Sequence, residues 1–219
     1  MVKLLGIDEA GRGPVIGSMF VAGVMVEEEL DELNDIDVKD SKKLSDNKRE
    51  RLYDELDDVG KVFVEEVSAS EIDDLREVMS LNDVELKAFT DIIKQAKPDK
   101  VIMDLPENDG DKFIEKVKDM LPDSLQGIDF VAEHEADDKF PVVSAASIIA
   151  KTRRENHIAK LVEKYGVDFG SGYPHDKPTR EFLKGFYKEE GVFPKETRMS
   201  WNSVQKLKNE VAQQSMEDY

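Results

Sequence analysis

Asp8 and Glu9 stand side by side near the start of the chain, within the segment GIDEAGRGPVIGS at residues 6–18. Two ionised carboxylates this close repel each other, and each raises the pKa of its neighbour. A divalent cation such as Mg²⁺ removes the repulsion, because it binds carboxylate oxygens together with water and phosphate oxygens. Successive strand residues face opposite sides of a sheet, so both side chains reach one site only if the chain bends, which Gly11 and Gly13 permit. The pair predicts a metal-dependent site.

Two more acids close predicted strands further along the chain. Asp104 ends the apolar run of KVIMDLP at 100–106, and Asp137 lies just beyond the strand predicted at 128–134. Neighbouring strands that end at the same edge of a sheet bring such residues together, although they are far apart in sequence. We therefore expect Asp104 and Asp137 to join Asp8 and Glu9 around divalent ions.

The elements that must position these acids follow from apolar periodicity, capping residues and turn signals. Strands are predicted at 3–8, 15–26, 61–68, 100–106 and 128–134. Helices are predicted from Ser45 to Gly60, as a pair within 70–96, and at 110–121, 141–165, 179–190 and 200–212. Strands first, and then alternating helices and strands, indicate an α/β fold: a mixed five-stranded sheet flanked by helices, with a C-terminal helical extension.

Composition sets further bounds on what this chain of 219 residues can be. The length fits one domain with a small helical appendix, and no apolar run approaches the ~20 residues of a membrane-spanning helix. The absence of cysteine excludes disulfides, thiolate metal sites and a cysteine nucleophile. The N-terminal sequence lacks the pattern of a signal peptide, so we expect a cytoplasmic protein. We also expect a monomer.

The charge distribution is compatible with a polyanionic binding partner, although the formal net charge is −18. Residues 39–51 contain six basic residues against three acids, and residues 151–164 contain five against two. Solvated helix faces are the alternative interpretation of these basic segments.

Four motifs, in order along the chain, resemble those of the type 2 ribonucleases H (ribonuclease HII), most closely the archaeal members. They are GIDEAGRGPVIGS at 6–18, DSKKLS at 40–45, VVSAASIIAK at 142–151 and GSGYPHDKPT at 170–179. The resemblance runs from about Lys3 to Trp201. It implies a ribonuclease H-like catalytic domain at 1–165, a helical region at 166–212 that packs on it, and a tail at 213–219.

The same resemblance implies an endoribonuclease that uses two metal ions, Mg²⁺ or Mn²⁺. Its expected substrates are the RNA strand of RNA/DNA hybrids and duplex DNA containing ribonucleotides. Cleavage 5′ to an embedded ribonucleotide would leave 3′-hydroxyl and 5′-phosphate ends. The family's catalytic and metal-binding acids correspond to Asp8, Glu9, Asp104 and Asp137. The implied substrate-binding residues are Gly11, Arg12 and Gly13 at the 2′-hydroxyl, Tyr173 at the following sugar, and Lys42, Lys43, Ser144, Ser147 and Lys151 along the phosphate backbone.

One position near Asp137 departs from the family pattern. Glu135 stands where a lysine is usual, which adds a negative charge two residues from the expected ligand. Asp138 is adjacent to Asp137 and is an alternative ligand.

The C-terminal tail has two interpretations. Gln213, Met216 and Tyr219 follow the spacing of the box by which replication proteins dock on a sliding clamp, whereas the alternative is a frayed polar tail.

The motifs of other protein classes are absent from the sequence or incomplete. A dinucleotide-binding GxGxxG motif would need glycine at position 16, where the chain has Ile16, and there is no DxDxDG calcium loop. A nucleic-acid-binding module without catalysis is the main alternative, but it has no use for acids beside phosphate.

Overall fold

The computed structural model describes residues 1–27, 60–104 and 110–217, and it contains a five-stranded mixed sheet of order β3-β2-β1-β4-β5. The central strand β1 pairs antiparallel with β2 and parallel with β4, and β4 pairs parallel with β5. The predicted fold class is confirmed. The strands are β1 (Lys3–Ala10), β2 (Met19–Glu27), β3 (Lys61–Val67), β4 (Lys100–Asp104) and β5 (Asp129–Glu133).

Six of the described helices follow the predicted order, with bounds that differ from the expected ones by a few residues, whereas the short helix at Ala136–Lys139 was not predicted. The described α-helices are α1 (Ala69–Arg76), α2 (Leu81–Ala96), α3 (Gly110–Asp119), α4 (Ala136–Lys139), α5 (Pro141–Tyr165), α6 (Lys177–Glu190) and α7 (Asn202–Glu217). The helix predicted from Ser45 to Gly60 lies outside the described residues, apart from Gly60 itself. No helix among the described residues is long and apolar enough to cross a membrane.

The chain divides into two compact units, and each has its own apolar core. The first comprises residues 1–10, 20–66 and 82–153, and it contains the core cluster of β1, β2, β4 and α5. The second comprises 11–19, 67–81 and 154–219, and its core joins Val15 and Ile16 to residues of the C-terminal helices. The division predicted from the sequence, at 165 and 212, stays a prediction.

In the first unit, glycines let helices pack close to both faces of the sheet. A Cβ on Gly6 of β1 would meet the carbonyl of Val142 and lie 2.7 Å from the nitrogen of Val143, so only glycine admits the start of α5 at this distance. On the other face, a Cβ on Gly23 of β2 would lie 2.7 Å from Cγ2 of Ile92 in α2. Since strand residues alternate in direction, the face that β1 presents at Gly6 is also the face of Asp8.

The strand predicted at 15–26 begins only at Met19, so the expectation for residues 15–18 is wrong. Gly17 has φ 92°, which strand residues do not adopt. Backbone groups of the second unit bind this segment instead: the N–H of Val15 donates to Gly172 O (2.8 Å), and the N–H of Gly17 donates to Glu196 O (2.9 Å). Partners remote in sequence thus override a local pattern that favours a strand.

Candidate active site

Asp8 is buried near the carboxyl end of the central strand, with only 6% of its surface exposed. Its backbone is paired with Ala22 of β2, and its side chain is influenced by Ser147 and Lys151 of α5. Burial raises the pKa of Asp8 from 3.8 to about 6, and the nearby Asp104 adds to this rise. Ser147, the backbone N–H of Glu9 and Lys151 oppose the rise but do not cancel it.

Glu9 belongs to the same strand but lies beside a different helix. β1 keeps its pairing through Ala10, and the turn follows at Gly11, which has φ 86°. The turn that glycine permits therefore follows the two acids, and a side-chain hydrogen bond with Asp8 is among the causes of the pKa shift of Glu9. Burial raises the pKa of Glu9 well above its ordinary value, and the charges of Glu85 and Asp8 raise it further. Glu85, in α2, is fully buried.

Asp104 ends β4, one residue beyond the last register pair of β1 and β4, which joins Ile7 and Met103. Its Oδ1 accepts a hydrogen bond of 2.8 Å from the N–H of Ala136, the first residue of α4. This bond ties the end of β4 to the short helix that carries Asp137. The predicted placement of Asp104 at the sheet edge is confirmed.

Asp137 lies on α4, and its Oδ2 is 3.9 Å from Nζ of Lys151. Because Lys151 also lowers the pKa of Asp8, this one cation acts on two of the four predicted acids. Glu135 precedes α4 in a left-handed conformation (φ 55°) and is exposed, as is Asp138.

The structure thus brings Asp8, Glu9 and Asp104 into mutual electrostatic contact and joins Asp137 to them through Lys151. Within residues 1–27, 60–104 and 110–217, no three acidic or histidine side chains are already grouped closely enough to hold a metal ion. The donor chemistry nevertheless fits a hard divalent cation, which prefers carboxylate oxygens. The raised pKa values of Asp8 and Glu9 mark negative charge that such a cation would stabilise.

The predicted substrate-binding residues of the second unit lie together. A Cβ on the exposed Gly13 would lie 3.2 Å from Cε1 of Tyr173, so the Tyr173 ring packs against this glycine. The guanidinium of Arg154 stacks over the same ring at 5.2 Å and donates a hydrogen bond to Ser171 O. Gly13, Tyr173 and Arg154 therefore lie together in the second unit.

The remaining predicted residues have varied surroundings. Ser144 and Ser147 are buried in α5, while Lys151 is partly exposed. Gln213 is exposed in α7, which also includes Met216. Lys42, Lys43 and Tyr219 lie outside the described residues. The substrate and clamp contacts assigned to all of these residues stay predictions.

Sequence reasoning missed three residues of these groups: Glu85, Arg154 and Arg198. Arg154 lies in the basic segment 151–164, whose composition does not single it out. Glu85 falls on the apolar face of α2, three, four and seven residues from Ala88, Phe89 and Ile92, and this spacing is a signal that could have found it. Arg198 is fully buried, and nothing in its local sequence indicates this.

Comparison with known proteins agrees with this architecture. The family model described as ribonuclease HII matches residues 5–204. The ribonuclease HII of Methanosarcina barkeri is 42% identical over 217 residues, which cover 96% of this chain and 97% of the relative. That of Thermococcus onnurineus is 43% identical over 222 residues, which cover 97% and 93%.

Solved structures give the same result. The ribonuclease H2 of Pyrococcus horikoshii superposes with a TM-score of 0.88 at 40% identity, covering 96% of this chain and 99% of that one. The ribonuclease HII in the PCNA:RNase HII complex of Archaeoglobus fulgidus superposes with a TM-score of 0.84 at 41% identity, covering 93% and 96%. The fold is therefore that of a ribonuclease H enzyme.

The chain belongs to the ribonuclease HII family. It is a type 2 ribonuclease H, a divalent-metal-dependent nuclease that acts on RNA/DNA hybrids. Membership of this family does not favour the alternative prediction of a nucleic-acid-binding module without catalysis. The antiparallel pairing of β1 and β2 is also unlike the βαβ unit of a dinucleotide-binding domain.

The raised pKa of Asp8 predicts a pH dependence of stability in metal-free buffer. Folded Asp8 binds its proton more tightly than the unfolded chain does, so folded-state stability falls as the pH rises from 3.8 through about 6. The Asp8→Asn variant should lack this fall. In urea unfolding with EDTA, it should exceed the wild type by about 3 kcal/mol at pH 8, with the difference disappearing below about pH 4.

Asp129→Asn is the matched control, because it makes the same chemical change at an exposed strand residue. It should keep the wild-type pH dependence. A difference between Asp8→Asn and wild type that is independent of pH, or that grows towards low pH, would contradict the burial of an unfavourable charge at Asp8.

Proposed function

We propose that Asp8, Glu9, Asp104 and Asp137 hold two divalent ions, Mg²⁺ or Mn²⁺, and that the enzyme also cuts duplex DNA 5′ to an embedded ribonucleotide. The observation that supports this most is the mutual repulsion of Asp8, Glu9 and Asp104 near the ends of β1 and β4. A protein that only bound nucleic acid would gain nothing from burying such charges where phosphate must approach.

Bound divalent ions would supply Lewis acidity for activating water and for stabilising the leaving oxygen. The chain's own groups orient the ligands: the Ala136 N–H fixes one oxygen of Asp104, and Lys151 lies beside Asp137. Hydrolysis adds the water oxygen to phosphorus and breaks the bond from phosphorus to O3′, which takes up a proton. The products are a 3′-hydroxyl and a 5′-phosphate, and no histidine base is needed.

A duplex with one ribonucleotide tests this proposal directly. Cleavage on its 5′ side should require Mg²⁺ or Mn²⁺ and stop in EDTA. Asp104→Asn should lower kcat at least about 100-fold, because loss of a ligand should cost no less than loss of a group that orients one. Asp129→Asn is the control and should cleave normally. Binding of the duplex without cleavage under every metal condition would favour the non-catalytic module instead.

Substrate selection is proposed for the loop that follows Glu9 by two residues. The 2′-hydroxyl is the local difference between RNA and DNA, and glycines at 11 and 13 let the backbone approach it without a Cβ in the way. Tyr173 would lie against the sugar after the ribonucleotide and mark the junction of RNA with DNA. Support comes from its ring, which packs on Gly13 and is covered by Arg154.

Tyr173→Ala should therefore reduce cleavage at single ribonucleotides more than cleavage of long hybrids, because only the first substrate depends on one junction. Steady-state kinetics on both substrates measures the difference, which we expect to be about tenfold from one lost stacking contact. Tyr173→Phe keeps the ring and should behave like the wild type. Equal losses on both substrates would contradict the junction role.

We also propose that the tail at 213–219 docks on a sliding clamp. Support comes from the exposure of Gln213 and from the Archaeoglobus fulgidus relative, which was solved in complex with PCNA. The protein itself we take to be a cytoplasmic monomer.

Deletion of 213–219 should abolish clamp binding in surface plasmon resonance and leave cleavage of the single-ribonucleotide duplex unchanged. A variant with the same seven residues in scrambled order is the control for composition, and it should also fail to bind. Unchanged affinity after deletion, or no affinity in the full chain, would identify the segment as a frayed polar tail.

A further inference from the structure

Arg198 is fully buried in the second unit, and its side chain donates three hydrogen bonds to backbone carbonyls of a single loop. Nη2 donates to Gly11 O at 2.6 Å, Nη1 to Arg12 O at 2.8 Å, and Nε to Gly17 O at 2.9 Å. The planar guanidinium presents its donors in a fixed fork, so three bonds to it define the position of the loop backbone.

These bonds also determine where the loop's N–H groups point. In a trans peptide the C=O and the following N–H point in opposite directions. Because the carbonyls of Gly11 and Arg12 point towards Arg198, the N–H groups of Arg12 and Gly13 point away from it. Those N–H groups belong to the segment that we propose contacts the 2′-hydroxyl. Arg198 thus holds the donors of the loop in one orientation before any substrate arrives.

Arg198 is itself held from several directions. Its backbone N–H donates to Val15 O at 2.8 Å, and its guanidinium lies 5.0 Å from the ring centroid of Trp201. Asp73 fixes the next two residues, because its carboxylate accepts from the N–H groups of Met199 (2.6 Å) and Ser200 (2.9 Å). These contacts fix the backbone of residues 198–200 and one face of the guanidinium.

The guanidinium also contributes charge. Burial lowers the pKa of Arg198 to about 9, and the positive charge of Arg154 lowers it as well, so Arg198 remains a cation at neutral pH. Two neighbouring cations therefore lie in the unit that contains the loop, in a chain whose net charge is −18. Local positive charge of this kind favours the approach of phosphate.

We propose that Arg198 is a positioning residue for ribonucleotide recognition, one that directs the N–H groups of Arg12 and Gly13 towards the 2′-hydroxyl of the substrate. The inference rests on the proposed function of the loop at 11–13. The inference goes beyond that proposed function because it assigns selectivity to Arg198, a residue that need not touch the substrate.

The test compares Kd values for two duplexes of identical sequence, one with a single ribonucleotide and one of DNA alone. Fluorescence anisotropy with Ca²⁺ in place of Mg²⁺ measures binding, and gels confirm that no product forms. Arg198→Lys keeps the charge, but its donors share one nitrogen atom and cannot reproduce the planar fork whose three nitrogens reach the three carbonyls. We expect this variant to lower the ratio of the Kd for DNA alone to the Kd for the ribonucleotide duplex about tenfold. The Kd for DNA alone should change little.

Arg76→Ala is the matched control, because Arg76 is an exposed cation that stacks on the same Trp201 ring at 5.9 Å. It should keep the wild-type ratio. An unchanged ratio in Arg198→Lys, or equal weakening of binding to both duplexes, would overturn the inference and leave Arg198 as scaffold only.

Two further arms keep the result decisive. If thermal unfolding shows that Arg198→Lys does not fold, Trp201→Leu removes the ring beneath the guanidinium while keeping an apolar side chain against the core, and it must lower the same ratio. An unchanged ratio there also overturns the inference. A wild-type ratio of one would instead overturn the proposed reading of the 2′-hydroxyl itself, so the two failures are distinguishable.

Discussion

The burial of Asp8 beside other acids is the constraint on which the first unit depends. The rise of its pKa from 3.8 to about 6 corresponds to about 3 kcal/mol of unfavourable free energy when the carboxylate is ionised at neutral pH. The surrounding structure fixes this charge in place: β1 is the central strand, Gly6 admits the backbone of α5, and α5 carries Ser147 and Lys151. Stability is given up at one point of a well-packed core, as is common where a protein performs chemistry.

In the second unit, hydrogen bonds to backbone carbonyls fix the loop between Gly11 and Gly17. We propose that the loop at 11–13 recognises a hydroxyl, and such recognition needs donors held in one orientation, since ordering mobile donors on binding costs affinity. Gly11 and Gly17, at φ 86° and 92°, give the loop a shape that other residues rarely adopt, and the guanidinium of Arg198 joins the carbonyls at both ends. Glycine supplies the conformational freedom, and the buried arginine then removes it.

Much of this architecture was predictable because its signals are local. Apolar periodicity placed the strands that end near Asp8 and at Asp104, and the motif around Tyr173 grouped it with the glycine loop. The strand start at Val15 failed because Gly172 and Glu196, remote in sequence, bind that segment. Arg198 escaped notice for the same reason, since only the tertiary fold brings its side chain to the loop carbonyls.

The two adjacent acids were predicted to share a site through a bend that Gly11 and Gly13 permit, and the chain turns at Gly11, two residues after Glu9. The strand continues through Ala10, and the two acids interact with each other, while Ser147 and Lys151 of α5 act on Asp8 and Glu85 of α2 acts on Glu9. Glu85 explains part of the electrostatics of Glu9, and its position on the apolar face of α2 was visible in the sequence. A charged residue on an otherwise apolar helical face is therefore as informative as a motif.

The most direct test of the account is the number of Mn²⁺ ions bound per chain, counted by electron paramagnetic resonance in the presence of the nicked product duplex. We expect two ions in the wild type, and fewer in both Asp8→Asn and Asp104→Asn, with Asp129→Asn unchanged. Full occupancy in both active-site variants, or active wild-type enzyme that binds no Mn²⁺ or Mg²⁺, would contradict the claim that these acids converge on divalent ions.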